Sequence, residues 1–168
     1  MFRPIVVCHQ LQSKDNLGSI ARVIANFGFN EIVLSDPQTH DFRGVEKLAV
    51  GALPVIEKMS IAANLPEALG LAVYAIGTTS RPILKRFNAL TPEEGVARLA
   101  EHACRGRVAV VLGGEKRGLS DAELDLCHDA VCIPTQGPQP SMNISHAAAV
   151  LLYLCSRIQA APTQSVPV

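Results

Sequence analysis

The polar groups best placed for chemistry stand where apolar runs stop. Ser141 and Asn143 follow the loop Pro134-Thr135-Gln136-Gly137-Pro138-Gln139-Pro140, which holds three prolines and a glycine in seven residues. Proline lacks the amide donor and fixes φ, so this stretch is neither helix nor central strand. A loop this stiff can hold backbone groups against a ligand at little entropic cost. Ser141 and Asn143 then sit at the start of a small-residue helix expected to run to about Ile158. There their side chains can cap free amides or face a substrate. Two further polar segments follow apolar runs: Thr78-Thr79-Ser80-Arg81 and Gly113-Gly114-Glu115-Lys116-Arg117-Gly118. The second is neither the glycine fingerprint of dinucleotide folds nor a phosphate loop with Gly-Lys-Ser/Thr. Spacing alone leaves the ligand of these loops open.

The elements that must position them alternate along the chain. Ile5–Cys8, Glu31–Leu34, Leu71–Gly77, Arg107–Leu112 and Ala130–Ile133 read as strands. Leu17, Ile20, Val23, Ile24 and Phe27 recur at helical spacing, and Gly28 closes that helix. Short helices are expected around Val45–Val50 and Leu65–Leu69. Thr91-Pro92-Glu93-Glu94 and Ser120-Asp121-Ala122-Glu123 are capping boxes; the first starts a helix reaching about Cys104. Strands spaced by helices predict an α/β fold, a parallel sheet covered on both faces. Ligands gather at the carboxyl ends of such strands, where the three polar exits would lie.

With 168 residues, 48% of them apolar and 18% charged, the chain suits one globular domain with a sizeable core. The domain is expected over residues 1–158, with 159–168, unpatterned and holding two prolines, as a flexible tail. No apolar run has membrane-spanning length and no secretory leader is evident, so a cytoplasmic protein is expected. Five scattered cysteines without a C-x-x-C pair read as free buried thiols, not as a disulfide framework or metal site. Zero formal net charge neither demands nor excludes a nucleic-acid partner.

Three segments together carry a resemblance: Asn16-x-Gly18-x-x-x-Arg22; Val111-Leu112-Gly113-Gly114-Glu115-x-x-Gly118-Leu119-Ser120; and Ile133-Pro134 with Ser141-Met142-Asn143-Ile144-Ser145-x-Ala147. In this order they resemble the three motifs of the SPOUT superfamily, and more narrowly its SpoU (TrmH-like) branch of RNA ribose 2′-O-methyltransferases. The resemblance covers roughly residues 3–158. Thr78-Thr79-Ser80, Gly51-Ala52 and Asp121-Ala122-Glu123-Leu124 look closest to the TrmJ-like subgroup, which acts on tRNA. The family implies a deep trefoil knot at the C-terminal end, a homodimer, and S-adenosylmethionine held in the knot. Threaded chains are rare, and no physical reading of the sequence predicts one.

The resemblance assigns catalysis to Asn16, Arg22, Glu115, Ser141 and Asn143. It assigns the cofactor to Thr78, Thr79, Ser80, Gly113, Ile133, Ser141, Met142 and Asn143; no metal is implied. Two roles are open for Arg22, general base or phosphate-bound positioner. A guanidinium is almost never neutral in a protein, which favours the positioner. Asn16 and Asn143 would orient Arg22 or the ribose, and Glu115 would pair with Arg22 or Asn16. Glycines 113 and 114 would let the backbone approach the adenosyl group. Each assignment has a plainer rival. Asn16, Ser141 or Asn143 could cap helices, Arg22 could lie on a solvated face, and Glu115 could pair with Lys116 or Arg117 on the surface. His146 reads as packed or capping, since the histidines show no obvious carboxylate pairing.

TrmJ-like relatives carry a further C-terminal segment and other branches an N-terminal RNA-binding domain. Here the catalytic domain itself is expected to grip RNA. Lys14, Arg22, Arg81, Lys85, Arg86, Lys116 and Arg117, seven of the fifteen basic residues, fall in or beside the motif loops and could form a local positive patch. The expected function is S-adenosylmethionine-dependent methylation of a ribose 2′-hydroxyl, in tRNA before ribosomal RNA. The alternatives are a non-catalytic RNA-binding module of the same fold and, more remotely, a base-nitrogen methyltransferase.

Overall fold

The computed structural model describes residues 2–160. Six strands form one fully parallel sheet: β1 (Ile5–His9), β2 (Ile32–Ser35), β3 (Ser60–Ala62), β4 (Tyr74–Thr79), β5 (Val108–Leu112) and β6 (Asp129–Cys132). Their order across the sheet is β3-β2-β1-β5-β4-β6. β1 and β5 are buried along their whole length, which is why both read as unbroken apolar runs.

The pleat divides the core in two. Val6 and Cys8 of β1, with Val108, Val110 and Leu112 of β5, face a cluster filled by α1 (Lys14–Asn26), α2 (Leu53–Glu57), α4 (Pro92–His102) and α6 (Ile144–Ala160). Ile5 and Val7, with Ala109 and Val111, face a smaller cluster under α3 (Leu65–Leu69) and α5 (Asp121–Asp125). Neighbouring side chains thus point to opposite faces, and helices cover both.

Most expected elements form, with shifted ends. α1 begins two residues before Asn16, because Ser13 is its N-cap and accepts from the Asn16 amide at 3.4 Å. Gly28 follows at φ +78°, a left-handed conformation that glycine adopts without strain. Both capping boxes close. β4 starts only at Tyr74, and Leu71 and Val73 are exposed. The stretch expected to be helical at 45–50 is a 3-10 turn over Val45–Lys47. Two short elements were not expected, α2 and the edge strand β3. Three residues, two of them exposed, give β3 no legible periodicity. α6 continues through Ala160, so the expected tail is helical at 159–160 and otherwise lies outside the described residues. Four of the five thiols are buried or half-buried as expected, but Cys104 is exposed. Burial pushes Cys8, Cys127 and Cys155 up to about 12, which keeps them protonated and unreactive.

Candidate active site

Three strand ends open onto one cleft. β4 delivers Thr78, Thr79 and Ser80, β5 delivers Gly113 to Glu115, and the segment after β6 delivers Ile133, Ser141 and Met142. Seven of the eight residues assigned to the cofactor line this cleft together; Asn143 stands outside the lining. Two hydroxyls are already engaged: Thr78 donates to the Val111 carbonyl at 3.1 Å, and Thr79 Oγ1 accepts the Arg81 amide at 3.1 Å.

The glycine loop gives a different reason for Gly113 than the one expected. A Cβ there would lie 2.4 Å from the Gly118 carbonyl carbon and 2.5 Å from the Leu119 nitrogen. The loop closes on itself through an amide of Gly118 bonded to the Gly114 carbonyl at 2.9 Å. Gly113 is therefore required by the chain's own backbone, before any ligand is considered. The same fold-back aims Glu115 at the start of α1.

Glu115 is held from three sides. Its Oε1 accepts from the Ser13 amide at 2.8 Å and from Asn16 Nδ2 at 3.1 Å, and its Oε2 accepts from the Gln12 amide at 2.9 Å. Burial pushes its pKa up, but these hydrogen bonds outweigh burial and leave it below its ordinary value. Glu115 is thus a fixed carboxylate, paired with neither Lys116, Arg117 nor Arg22. Because a carboxylate can only accept, Asn16 must present Nδ2 to it and Oδ1 away from it. That Oδ1 accepts from Asn143 Nδ2 at 3.1 Å. Asn143 Oδ1 in turn accepts from the amide and hydroxyl of Ser145 at 2.8 and 2.7 Å, which caps the start of α6.

One hydrogen-bonded line therefore joins the glycine loop, α1 and α6, with each amide orientation set by its neighbour. Capping and site geometry coincide in Asn143. Asn16 is not a cap, since Ser13 takes that role. Ser141 lies ahead of the helix, lines the cleft, and accepts from Gln139 Nε2 at 3.3 Å. His146 is exposed on α6 and joins none of these contacts.

Arg22 is not brought to this line. Six residues beyond Asn16 on α1, it lies about 9 Å along the axis and about 240° around it. It is exposed, does not line the cleft, and has no polar partner among the described residues. Three other basic residues are engaged by α5. Arg81 lies 2.7 Å and Lys85 3.8 Å from Asp121, and Arg86 lies 3.4 Å from Asp125. Lys14 donates to the Arg43 carbonyl at 2.9 Å. Lys116 and Arg117 are exposed and unpaired among the described residues, and Arg117 borders the cleft. Sequence reasoning missed the backbone amides that fix Glu115 and the acidic partners on α5, although the capping box had marked α5 itself. Among the described residues no group of three or more His, Cys, Asp or Glu could hold a metal ion.

Comparison with known proteins gives concordant findings. The model of the SpoU rRNA Methylase family matches residues 3–153. The tRNA (cytidine-2′-O-)-methyltransferase TrmJ of Methanocaldococcus jannaschii is 35% identical over 142 residues, 82% of this chain and 60% of that relative. The chain thus spans about 60% of the length of that curated relative. A probable methylase family protein from Haemophilus influenzae superposes with a TM-score of 0.87 at 25% identity, over all of this chain and 73% of that one. The SpoU methyltransferase AviRb from Streptomyces viridochromogenes, solved with its cofactor AdoMet, superposes at 0.67 and 20% identity, over 96% and 60% of the two chains. At that identity the likeness concerns the fold.

Proposed function

Since the chain belongs to the SpoU rRNA Methylase family, we propose that it transfers the methyl group of S-adenosylmethionine to a ribose 2′-hydroxyl of RNA, with tRNA as the first substrate to test. The observation that carries this reading is the Asn143–Asn16–Glu115 line beside the cleft. It fixes polar groups from three motifs next to a pocket in which a methyl donor can lie.

The cleft suits that donor. Its walls combine neutral hydroxyls (Thr79, Ser80, Ser141) with apolar side chains (Leu112, Val131, Ile133, Met142), as an adenosyl group with a hydroxylated ribose requires. When bound, the sulfonium supplies a methyl group activated for attack by an oxygen in line with the carbon–sulfur bond. Gly113, Ile133 and the Thr78–Ser80 wall would hold it. Glu115 already accepts three hydrogen bonds with a lowered pKa, so its part is to orient Asn16, not to take the hydroxyl proton. Asn16 and Asn143 then orient the ribose, a contribution of alignment.

The positive element at the phosphate is Arg22, and its position supports a homodimer. α1 turns Arg22 away from its own cleft, so it would serve the site of a second copy. The face beside it is apolar: Val150, Tyr153 and Ile158 of α6 are exposed, and Tyr153 meets Phe27 of α1 edge-on at 6.0 Å. The small and apolar residues of α6 that could build this face are Ala147, Ala148, Val150, Leu151 and Leu154. Of these Ala148 and Leu151 are buried in the protomer's own core, so the proposed contact shifts to Val150, Tyr153, Leu154 and Ile158.

The pairing of β6 supports the expected knot. One edge of β6 pairs with β4, and its other edge meets Leu90, whose amide donates to the Ala130 carbonyl at 2.8 Å. The chain leaving β6 therefore emerges between β4 and the segment that follows β4. We place the threading there, with residues 133–147 drawn through that loop. The location that goes with an RNA substrate and this methyl donor is the cytoplasm. No helix among the described residues is long and apolar enough to cross a membrane.

The test is incubation with labelled S-adenosylmethionine and total RNA, followed by alkaline hydrolysis. A 2′-O-methyl group blocks attack on the neighbouring phosphate, so labelled, cleavage-resistant dinucleotides are expected from tRNA. Label in ribosomal RNA alone would move the substrate, and label in alkali-sensitive positions would end the ribose reading.

A further inference from the structure

α5 is five residues long, yet its carboxylates reach two separate parts of the fold. Its first turn is fixed by the capping box, with the Ser120 amide 2.8 Å from Glu123 Oε2 and the Glu123 amide 3.1 Å from Ser120 Oγ. Its inner side is seated by Leu124, buried in the smaller core cluster. Glu123 Oε1 lies 3.0 Å from Nε2 of His9 at the end of β1, and His9 Nδ1 lies 2.9 Å from the buried hydroxyl of Ser35 on β2. α5 is therefore fastened to the sheet.

From this base α5 reaches the segment between Ser80 and Leu90, which carries no helix or named strand. That segment continues directly from the Thr78–Ser80 wall of the cleft. Its far end is held by Leu90 against β6 and by Ala89 bonded to the Pro82 carbonyl at 2.9 Å. At its near end the side-chain anchor is Arg81, whose amide also donates to Thr79 Oγ1 at 3.1 Å.

The Arg81–Asp121 pair differs from its neighbours. Lys85 and Arg86 keep 87% and 76% of their side-chain surface, and such pairs contribute little. Arg81 and Asp121 keep less of their side-chain surface, 46% and 37%, and Asp121 Oδ1 is itself buried, 2.7 Å from the Arg81 guanidinium, while Lys85 approaches only the outer oxygen, at 3.8 Å. A buried carboxylate oxygen is costly to leave without its partner, so Asp121 restrains Arg81 more than the outer, more exposed pairs restrain Lys85 and Arg86.

We propose that Asp121 is a positioning residue for the methyl donor: through Arg81 it holds the Thr78–Ser80 wall opposite Gly113 and Ile133. This rests on the reading that the cleft takes S-adenosylmethionine. It also gives Arg81 a duty within the protein in place of RNA contact.

The experiment uses the full chain without RNA, so that any RNA contact by Arg81 does not enter. S-adenosylmethionine binding is measured by calorimetry for the wild type, Asp121→Asn, Asp121→Glu and the exchanged pair Arg81→Asp with Asp121→Arg. Amide exchange across residues 79–90 and across α6 is followed in parallel. The expected result is a cofactor dissociation constant raised about tenfold in Asp121→Asn, largely restored by Asp121→Glu and by the exchanged pair. Faster exchange is expected at 79–90, with α6 unchanged. Unchanged affinity in Asp121→Asn overturns the assignment, as does weakened binding with faster exchange across α6, which would mean general loosening. A wild-type protein that takes up no S-adenosylmethionine overturns both the assignment and the functional reading beneath it.

Discussion

Asn143 donates its side-chain amide to the Oδ1 of Asn16 across 3.1 Å, joining residues 127 positions apart. The direction of that bond is imposed from the far side, because Asn16 has already committed its own NH₂ to Glu115. Removing the middle member should therefore uncouple both ends. Asn16→Ala is expected to fold, since Ser13 retains the cap of α1, and to lose methyl transfer by about a hundredfold, the scale of a small misplacement of reacting atoms. The loss should stand in kcat at saturating RNA. Recovery of full turnover at high RNA would show that the line serves binding only.

Glu115 yields a prediction in pH. Its pKa is lowered by folding, so its contribution to stability is complete above its ordinary range and fades as pH falls through the folded value. Glu115→Gln turns one acceptor into a donor facing amide groups, which should cost about 1 kcal/mol at neutral pH in urea unfolding. In acid, where the wild-type carboxyl is protonated as well, the difference between the two proteins should shrink. A gap that is constant over that range would mean that the carboxylate charge is not what holds the α1 amides.

Arg22 separates action within a chain from action across a dimer. Arg22→Ala and Asn16→Ala are each expected to keep about a hundredth of wild-type activity or less when alone. If Arg22 serves the partner's cleft, mixing the two variants rebuilds one intact site in each mixed dimer, and about a quarter of wild-type activity should return. If it serves its own cleft, every mixed dimer has two defective sites and nothing returns. Arg22→Lys should recover little in either case, because a point charge lacks the planar, forked grip of a guanidinium.

Gly113→Ala tests the loop before the ligand. Its Cβ would overlap the Gly118 backbone, so the loop must open, at a cost of about 1–3 kcal/mol, with cofactor affinity falling in step. Thermal unfolding and calorimetry on the same sample check both. A variant of full stability that merely excludes cofactor would return Gly113 to the role expected from sequence.

Two positions on α6 divide stability from assembly. Leu151 is fully buried in the larger cluster, and Leu151→Ala should destabilise the fold by about 2–5 kcal/mol in urea. Tyr153 is 51% exposed, and Tyr153→Asp should leave the protomer folded while shifting sedimentation to a monomer. A Tyr153→Asp protein that stays dimeric would place the interface elsewhere.

Much of this was written locally in the chain. Hydrophobic spacing from Leu17 to Phe27, the boxes at Thr91 and Ser120, and the apolar runs of β1 and β5 act over a few residues, so they marked the helices, the strands and the parallel architecture. The motif residues marked the loops that line the cleft, and seven of eight cofactor candidates meet there. Other outcomes depended on contacts that no local pattern encodes. Glu115 binds the start of α1 rather than its neighbours Lys116 and Arg117, because the loop's fold-back, permitted by the lack of a Cβ at Gly113, decides where the carboxylate points. Arg81, Lys85 and Arg86 read as free cations until α5 supplied their partners from 36 to 40 positions away. Arg22 shares a motif with Asn16 yet faces elsewhere, because six residues of helix turn it about 240°. Sequence determined which groups this protein brings to its site; the packing of loops and short helices decided which of them meet.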